Sequence, residues 1–328
     1  MTTKTFGGYF PLELPAAQSH YYPHARQYRS ARNALYHLLM TRRPQRLWMP
    51  VLICQSVIDA VTASGVEIIW YQLDDDYFPQ LSEAFGADDC LLYVDYLGHC
   101  EAQSERLLRL LPAQSVIIDR SQGFYSPPPK ALACIWSPRK FFGVADGGLL
   151  QTTLSLPPAA EAEHDTHSHT AHLLLQHEYD TRSGYGAFLQ AEAALNTISA
   201  SGMSALTDRL LRAVNYREIQ QIRERNYRLL RARLADLNAF RFPALPVSGP
   251  FCYPFYFPAR SLHAALIARG VFVATYWREA LDRVTADSIE ANFVNYVVPL
   301  PCDQRYSESD MQQLSDIVRA VVEDGDKD

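Results

Sequence analysis

From about residue 30 to residue 152, short apolar runs alternate with stretches of helical periodicity. SARNALYHLLMTR carries the helical period, RLWMPVLI is a short apolar run, and CQSVIDAVTASG reads as a helix closed by Gly65. VEIIWYQL and CLLYVDYLG read as strands, and SERLLRLLP as a helix stopped by its proline. SVIIDRSQGF is a strand running into a polar turn, with ACIWSP and GGLLQTT following as further strands. Strands that alternate with helices must pack as a mostly parallel sheet flanked by helices, so the predicted class is α/β. In such sheets ligands sit beyond the C-terminal strand ends. Asp95, Asp119 and Ser137 fall at or just past predicted strand ends.

Beyond residue 156 the alternation stops. PPAAEAEHDTHSHTAH is polar and irregular up to about residue 186, where a helical pattern resumes in YGAFLQAEAALNTI. A second, long helical pattern covers ALTDRLLRAVNYREIQQIRERNYRLLRARLADL. The tail mixes predicted strands (PFCYPFYF, VFVATYW, FVNYVVPLP) with predicted helices (ARSLHAALIARG, SESDMQQLSDIVRAVVED). We therefore expect a large domain over residues 1–215 and a smaller α+β domain over residues 216–328.

Bulk properties exclude several classes. The net charge of −6 over 328 residues gives no nucleic-acid footprint, and the basic face of REIQQIRERNYRLLRARL reads as solvated. No apolar run is long enough to span a bilayer, and MTTKTFGGYFPLELP has no secretory pattern. The six cysteines are scattered without a C-x-x-C pair, which predicts free thiols in the cytoplasm and no zinc. His164, His167, His169, His172 and His177 have spacings that suit metal ligands, but their polar context predicts an exposed loop and no metal.

SPRKFFGVADGGLL poses a chemical question, because its lysine lies between an arginine and two phenylalanines, ahead of a Gly-Gly. A lysine at the edge of an apolar pocket is desolvated, and its amine becomes a nucleophile toward carbonyls. Asp119 ends the run VIID upstream of Lys140, and Ser30 opens the first helix. Taken singly, these are a turn residue, a solvated lysine and an N-cap. Taken together, they match the needs of pyridoxal 5'-phosphate: an amine for the aldehyde, a carboxylate for the pyridinium nitrogen, and a helix N-terminus for the phosphate.

These segments resemble the DegT/StrS-type sugar aminotransferases, fold-type I pyridoxal-phosphate enzymes, over roughly residues 7 to 315. VIIDRSQGF resembles the family's D-x-A-Q/H-A motif, which implies Asp119 at the pyridine nitrogen and Gln122 near the ring 3-hydroxyl. WSPRKFFGVADGGLL resembles S-F-x-x-x-K followed by G-E-G-G, which implies Lys140 as the Schiff-base lysine and Ser137 as a phosphate ligand. Gly147 and Gly148 match the paired glycines, with Asp146 in place of glutamate. SARNAL resembles the family's helix start, which implies phosphate-facing amides at Ala31 and Arg32. Cys54 stands where an aromatic residue normally stacks on the ring.

The resemblance implies amino transfer from a donor such as glutamate to a keto sugar, by a homodimer. The alternatives are another pyridoxal-phosphate reaction, such as a dehydratase or non-sugar transaminase, and a non-catalytic binding protein on the same fold. The family's G-Y-N-x-R-M loop from the partner chain is not recognisable; Arg182 and Tyr185 stand in its region. Trp277 and Arg278 resemble a loop that faces substrate, and GGYFPLELP either lines the site's mouth or packs on the large domain.

Overall fold

The structure, a computed structural model, describes residues 6–325 apart from Glu83, His164, and residues 242–246 and 259–261. In chain order its main sheet is formed by β1 (Arg26–Tyr28), β2 (Arg46–Pro50), β3 (Glu67–Leu73), β4 (Pro79–Gln80), β5 (Cys90–Val94), β6 (Val116–Asp119), β7 (Ala133–Trp136) and β8 (Gly148–Thr152). The spatial order is β1-β8-β7-β6-β5-β2-β3-β4. The five strands from β7 to β3 pair in parallel, with β8 and β4 antiparallel at the flanks. Every residue of β5 and β7 is buried, as a parallel sheet covered on both faces demands.

The first helices are α1 (Ala31–Arg42), α2 (Gln55–Ser64) and α3 (Glu101–Leu110). α1 starts where Ser30 adopts an extended conformation and its hydroxyl accepts the Asn33 N–H at 3.2 Å. α2 ends at Gly65, whose φ of 72° is open to glycine at little cost.

The second half contains α4 (Ala171–Glu178), α5 (Thr181–Ala194), α6 (Ala205–Leu211), α7 (Tyr216–Leu234), β9 (Tyr253–Tyr256), α8 (Leu262–Ala268), α9 (Ile289–Tyr296), β10 (Val297–Leu300) and α10 (Glu308–Gly325). A separate core joins Leu230 and Leu234 of α7 to Phe255, Leu266, Val298 and Val318. β9 and β10 form its antiparallel pair.

Four expectations for this half fail. The long helix predicted from Ala205 is two helices, because the Asn215 side chain accepts the Glu218 N–H and caps a new start. VFVATYW is not a strand: Trp277 takes a left-handed φ of 54° and leads into a 3-10 turn. Phe293 to Tyr296 belong to α9, whose cap Ser288 accepts the Ala291 N–H, so the strand begins only at Val297. The histidine-rich stretch is not an open loop throughout, since α4 carries His172 and His177, and Asp180 caps α5 ahead of Arg182. The predicted start of helix ARSLHAALIARG lies outside the described residues, and so does His164.

Candidate active site

A cleft of about 310 Å³ opens beyond the C-terminal ends of β5, β6 and β7. All seven residues singled out for the cofactor line it: Ala31, Arg32, Cys54, Asp119, Gln122, Ser137 and Lys140. They come from the start of α1, the start of α2, the turn after β6 and the turn after β7. The parallel topology thus gathers positions far apart in the chain.

Asp119 is half-buried at the end of β6, and one carboxylate oxygen accepts the Ser121 N–H at 2.8 Å. Its other oxygen has no partner among the described residues. Gln122 is fully buried and polarised by its setting. Its Oε1 accepts the Leu97 N–H at 3.0 Å, whereas its Nε2 is buried without an acceptor. An unpaired buried amide donor is costly unless a ligand satisfies it. Beneath these residues Asp95 is wholly buried at the end of β5, and burial raises its pKa to about 6 against the pull of Arg120.

Lys140 ends a 3-10 turn over Pro138–Lys140. The turn corrects the expectation of a desolvated lysine. Phe141 and Phe142 enter the core against Phe124, while Lys140 itself is exposed at the cleft. Its amine has no ion-pair partner among the described residues. Ser137, one turn earlier, is buried and lines the cleft.

Two glycines bring β8 and the start of α1 together. Gly147 has a φ of 128° and bridges to Ser30. At Gly148 a Cβ would stand 2.1 Å from the Ser30 carbonyl carbon, so only glycine lets β8 pass the start of α1. Asp146, buried beside them, accepts the Ser204 N–H and hydroxyl at 2.8 Å each, and so holds the residue whose hydroxyl caps α6 by accepting the Thr207 N–H.

The other expected contributors divide between the cleft and places outside it. Cys54 lies in the cleft, with its sulfur 3.0 Å from the Ser56 hydroxyl. Trp277 reaches it too, held edge-on to Tyr96 at 5.4 Å, but Arg278 is exposed and outside the lining. Arg182 stands over Phe272 at 5.4 Å and Tyr185 lines the same separate cavity, so neither faces this cleft. In GGYFPLELP Tyr9 and Phe10 are almost wholly exposed, Leu14 is half-buried, and none of the segment is among the residues that line the cleft. No group of three metal-ligating side chains occurs among the described residues.

Other residues in or around the cleft escaped the sequence reading. Arg139 precedes Lys140 and pairs with Glu192 of α5. Arg283 donates to the Ile53 carbonyl at 2.9 Å and so steadies the loop before Cys54. Arg223 of α7, read as solvated, is buried and donates to the Phe141 carbonyl at 3.2 Å.

No family model and no curated protein matches the chain. Solved structures do. The aminotransferase TlmJ from Streptoalloteichus hindustanus is 16% identical, with a TM-score of 0.64, over 91% of this chain and 86% of that one. PseC from Helicobacter pylori, an aminotransferase involved in the biosynthesis of pseudoaminic acid, is 15% identical over 92% and 87%, with a TM-score of 0.60. The PLP-form of Spr1654 from Streptococcus pneumoniae is 13% identical over 92% and 87%, with a TM-score of 0.64. Over nine-tenths of its length the chain therefore has the fold of the aminotransferases TlmJ and PseC, the fold that the resemblance implies.

Proposed function

We propose that the chain is a pyridoxal-phosphate-dependent aminotransferase that moves an amino group from an amino acid such as glutamate to a keto sugar. One observation carries the reading: seven residues chosen for cofactor chemistry from separated motifs line a single cleft. The residues fit the group. The buried Gln122 Nε2 lacks an acceptor, Asp119 has a free carboxylate oxygen, and Lys140 has a free amine. The first turn of α1 and the Ser137 hydroxyl supply donors for a phosphate.

When bound, the cofactor supplies an electron sink for the substrate's α-carbon. Asp119 would hold a proton at the ring nitrogen, and Gln122 would donate to the ring 3-hydroxyl. Lys140 would hold the cofactor through its amine and would serve as the base that moves a proton at the donor's α-carbon. The aminotransferases TlmJ and PseC and the PLP-form of Spr1654 support the activity and the cofactor by shared fold.

The same reading assigns residues 1–215 to the cofactor domain and 216–328 to the smaller domain, supported by the second core. It includes a homodimer, supported by the exposed apolar side chains of Phe6, Tyr9, Phe10 and Leu12. It also places the protein in the cytoplasm, supported by six free cysteines; no described helix is long and apolar enough to cross a membrane.

A visible spectrum tests the reading. We expect an absorbance band from bound pyridoxal phosphate that borohydride abolishes and that K140A lacks. No band in the wild-type protein with added cofactor would leave a binding protein on this fold as the better reading.

A further inference from the structure

The cleft holds two arginines beside the candidate lysine, and neither is free. Arg139 pairs through Nη2 with Glu192 and donates from Nε to the Ala145 carbonyl at 3.0 Å. Arg32 donates from Nη1 to the Leu195 carbonyl and to Asn196 Oδ1, both at 3.1 Å. All the partners except Ala145 belong to one place, the last turn of α5 and the residues just after it. The C-terminal end of a helix carries partial negative charge on its unpaired carbonyls. One carboxylate and one helix end therefore occupy two guanidinium groups inside a cleft that also contains Lys140.

The two partnerships differ in firmness. Arg139 is tethered by a backbone bond and mostly buried, with 17% of its side chain exposed, whereas the Glu192 side chain is 42% exposed and its carboxylate makes no other hydrogen bond among the described residues. A half-exposed carboxylate bound only by such a pair contributes little to stability. An incoming oxyanion that takes two bonds from a fixed guanidinium can displace it. We infer that Arg139 is the anion-receiving residue of this cleft and that Glu192 is its resident competitor, exchanged when a phosphate- or carboxylate-bearing small molecule enters. Arg139 sets substrate class by charge, and Glu192 sets the affinity.

Two sources offer that oxyanion: the cofactor's phosphate and the carboxylate of an amino-acid donor. The inference rests on the proposed function only in naming them. The exchange itself depends on Arg139, Glu192 and the cleft.

Calorimetry on the cofactor-free full chain tests it, with inorganic phosphate and with succinate as probes, in wild type, R139A, R139K and E192Q. E192Q is expected to bind at least one probe about tenfold more tightly, because the competing charge is gone while the backbone contacts remain. R139A is expected to bind that probe about tenfold more weakly, with R139K in between. A response to phosphate alone assigns the site to the cofactor's phosphate, and a response to succinate alone assigns it to a substrate carboxylate. Should R139A fail to fold, E192Q decides alone, since the Glu192 carboxylate bonds no backbone group among the described residues. Unchanged or weaker binding of both probes in E192Q overturns the inference. A wild-type protein that shows these anion effects but binds no pyridoxal phosphate overturns the proposed function and leaves this inference standing.

Discussion

The Arg223 guanidinium lies 4.7 Å above the ring of Phe141 and donates to the Phe141 carbonyl at 3.2 Å. Arg223 belongs to α7, and Phe141 follows Lys140. Gln304 donates to the same carbonyl at 2.7 Å. The second half of the chain thus holds the candidate lysine's turn from behind. Arg223 also donates to the Pro250 carbonyl at 3.0 Å, so its charge is spread over backbone oxygens.

We predict that R223M destabilises the protein by about 3 kcal/mol, because it leaves buried carbonyls without their charged donor. Urea unfolding measures this. A loss below about 1 kcal/mol would show that the turn does not depend on α7.

The contact between Gly148 and Ser30 leads to a second prediction. A Cβ at Gly148 would also stand 2.3 Å from the Ala31 nitrogen, and backbone on both sides leaves nothing flexible to yield. G148A should push β8 from the start of α1 and cost about 3 kcal/mol. It should also weaken phosphate binding at that helix start. A thermal midpoint and a phosphate affinity both equal to wild type would contradict the packing.

Asp89 gives a dependence on pH. Its carboxyl is held at about 2, first by Arg46, which donates at 3.0 and 2.6 Å, and then by Trp48 Nε1 and the Gly86 N–H, against the cost of burial. The unfolded chain, with an ordinary carboxyl near ~3.9, takes up the proton first on acidification. The contribution is therefore complete above about pH 4 and is lost as the pH falls toward 2. We predict that D89N lowers neutral stability by about 2 kcal/mol and flattens the acid limb of the thermal midpoint. An acid limb as steep as wild type would mean that Asp89 is not the group responsible.

Much of this site is legible in the sequence because strand ends are punctuated there. VIID and ACIW stop at polar turns, so Asp119, Ser137 and Lys140 can be assigned to the sheet's C-terminal edge from local pattern alone. Glu192 and Arg223 are not legible in that way. Their partners lie 53 and 82 residues distant, and a charged residue on an amphipathic helix gives no local sign of burial. The break before α7 does have a local sign. Asn215 and Glu218 stand at capping-box spacing, and the basic run beyond them masks it. The VFVATYW segment fails for another reason: its β-branched and aromatic residues favour a strand, but Trp277 packs on Tyr96 and Phe293 and turns the backbone away.

Gln122 allows the two ends of one side chain to be separated. Its Oε1 is committed to the Leu97 N–H, while its Nε2 is buried with no acceptor in a residue that lines the cleft. Q122E keeps an acceptor for Leu97 and replaces the free donor with an anionic oxygen. If the Nε2 donor serves a ligand oxygen, affinity should fall while the fold holds. We predict that the pyridoxal-phosphate Kd rises about tenfold or more, with the thermal midpoint of the cofactor-free protein within about 2 °C of wild type. Titration of the visible band and a thermal melt measure the two quantities. An unchanged Kd would remove Gln122 from the ligand's partners, and a collapse of the midpoint would reassign its amide to holding the turn after β6.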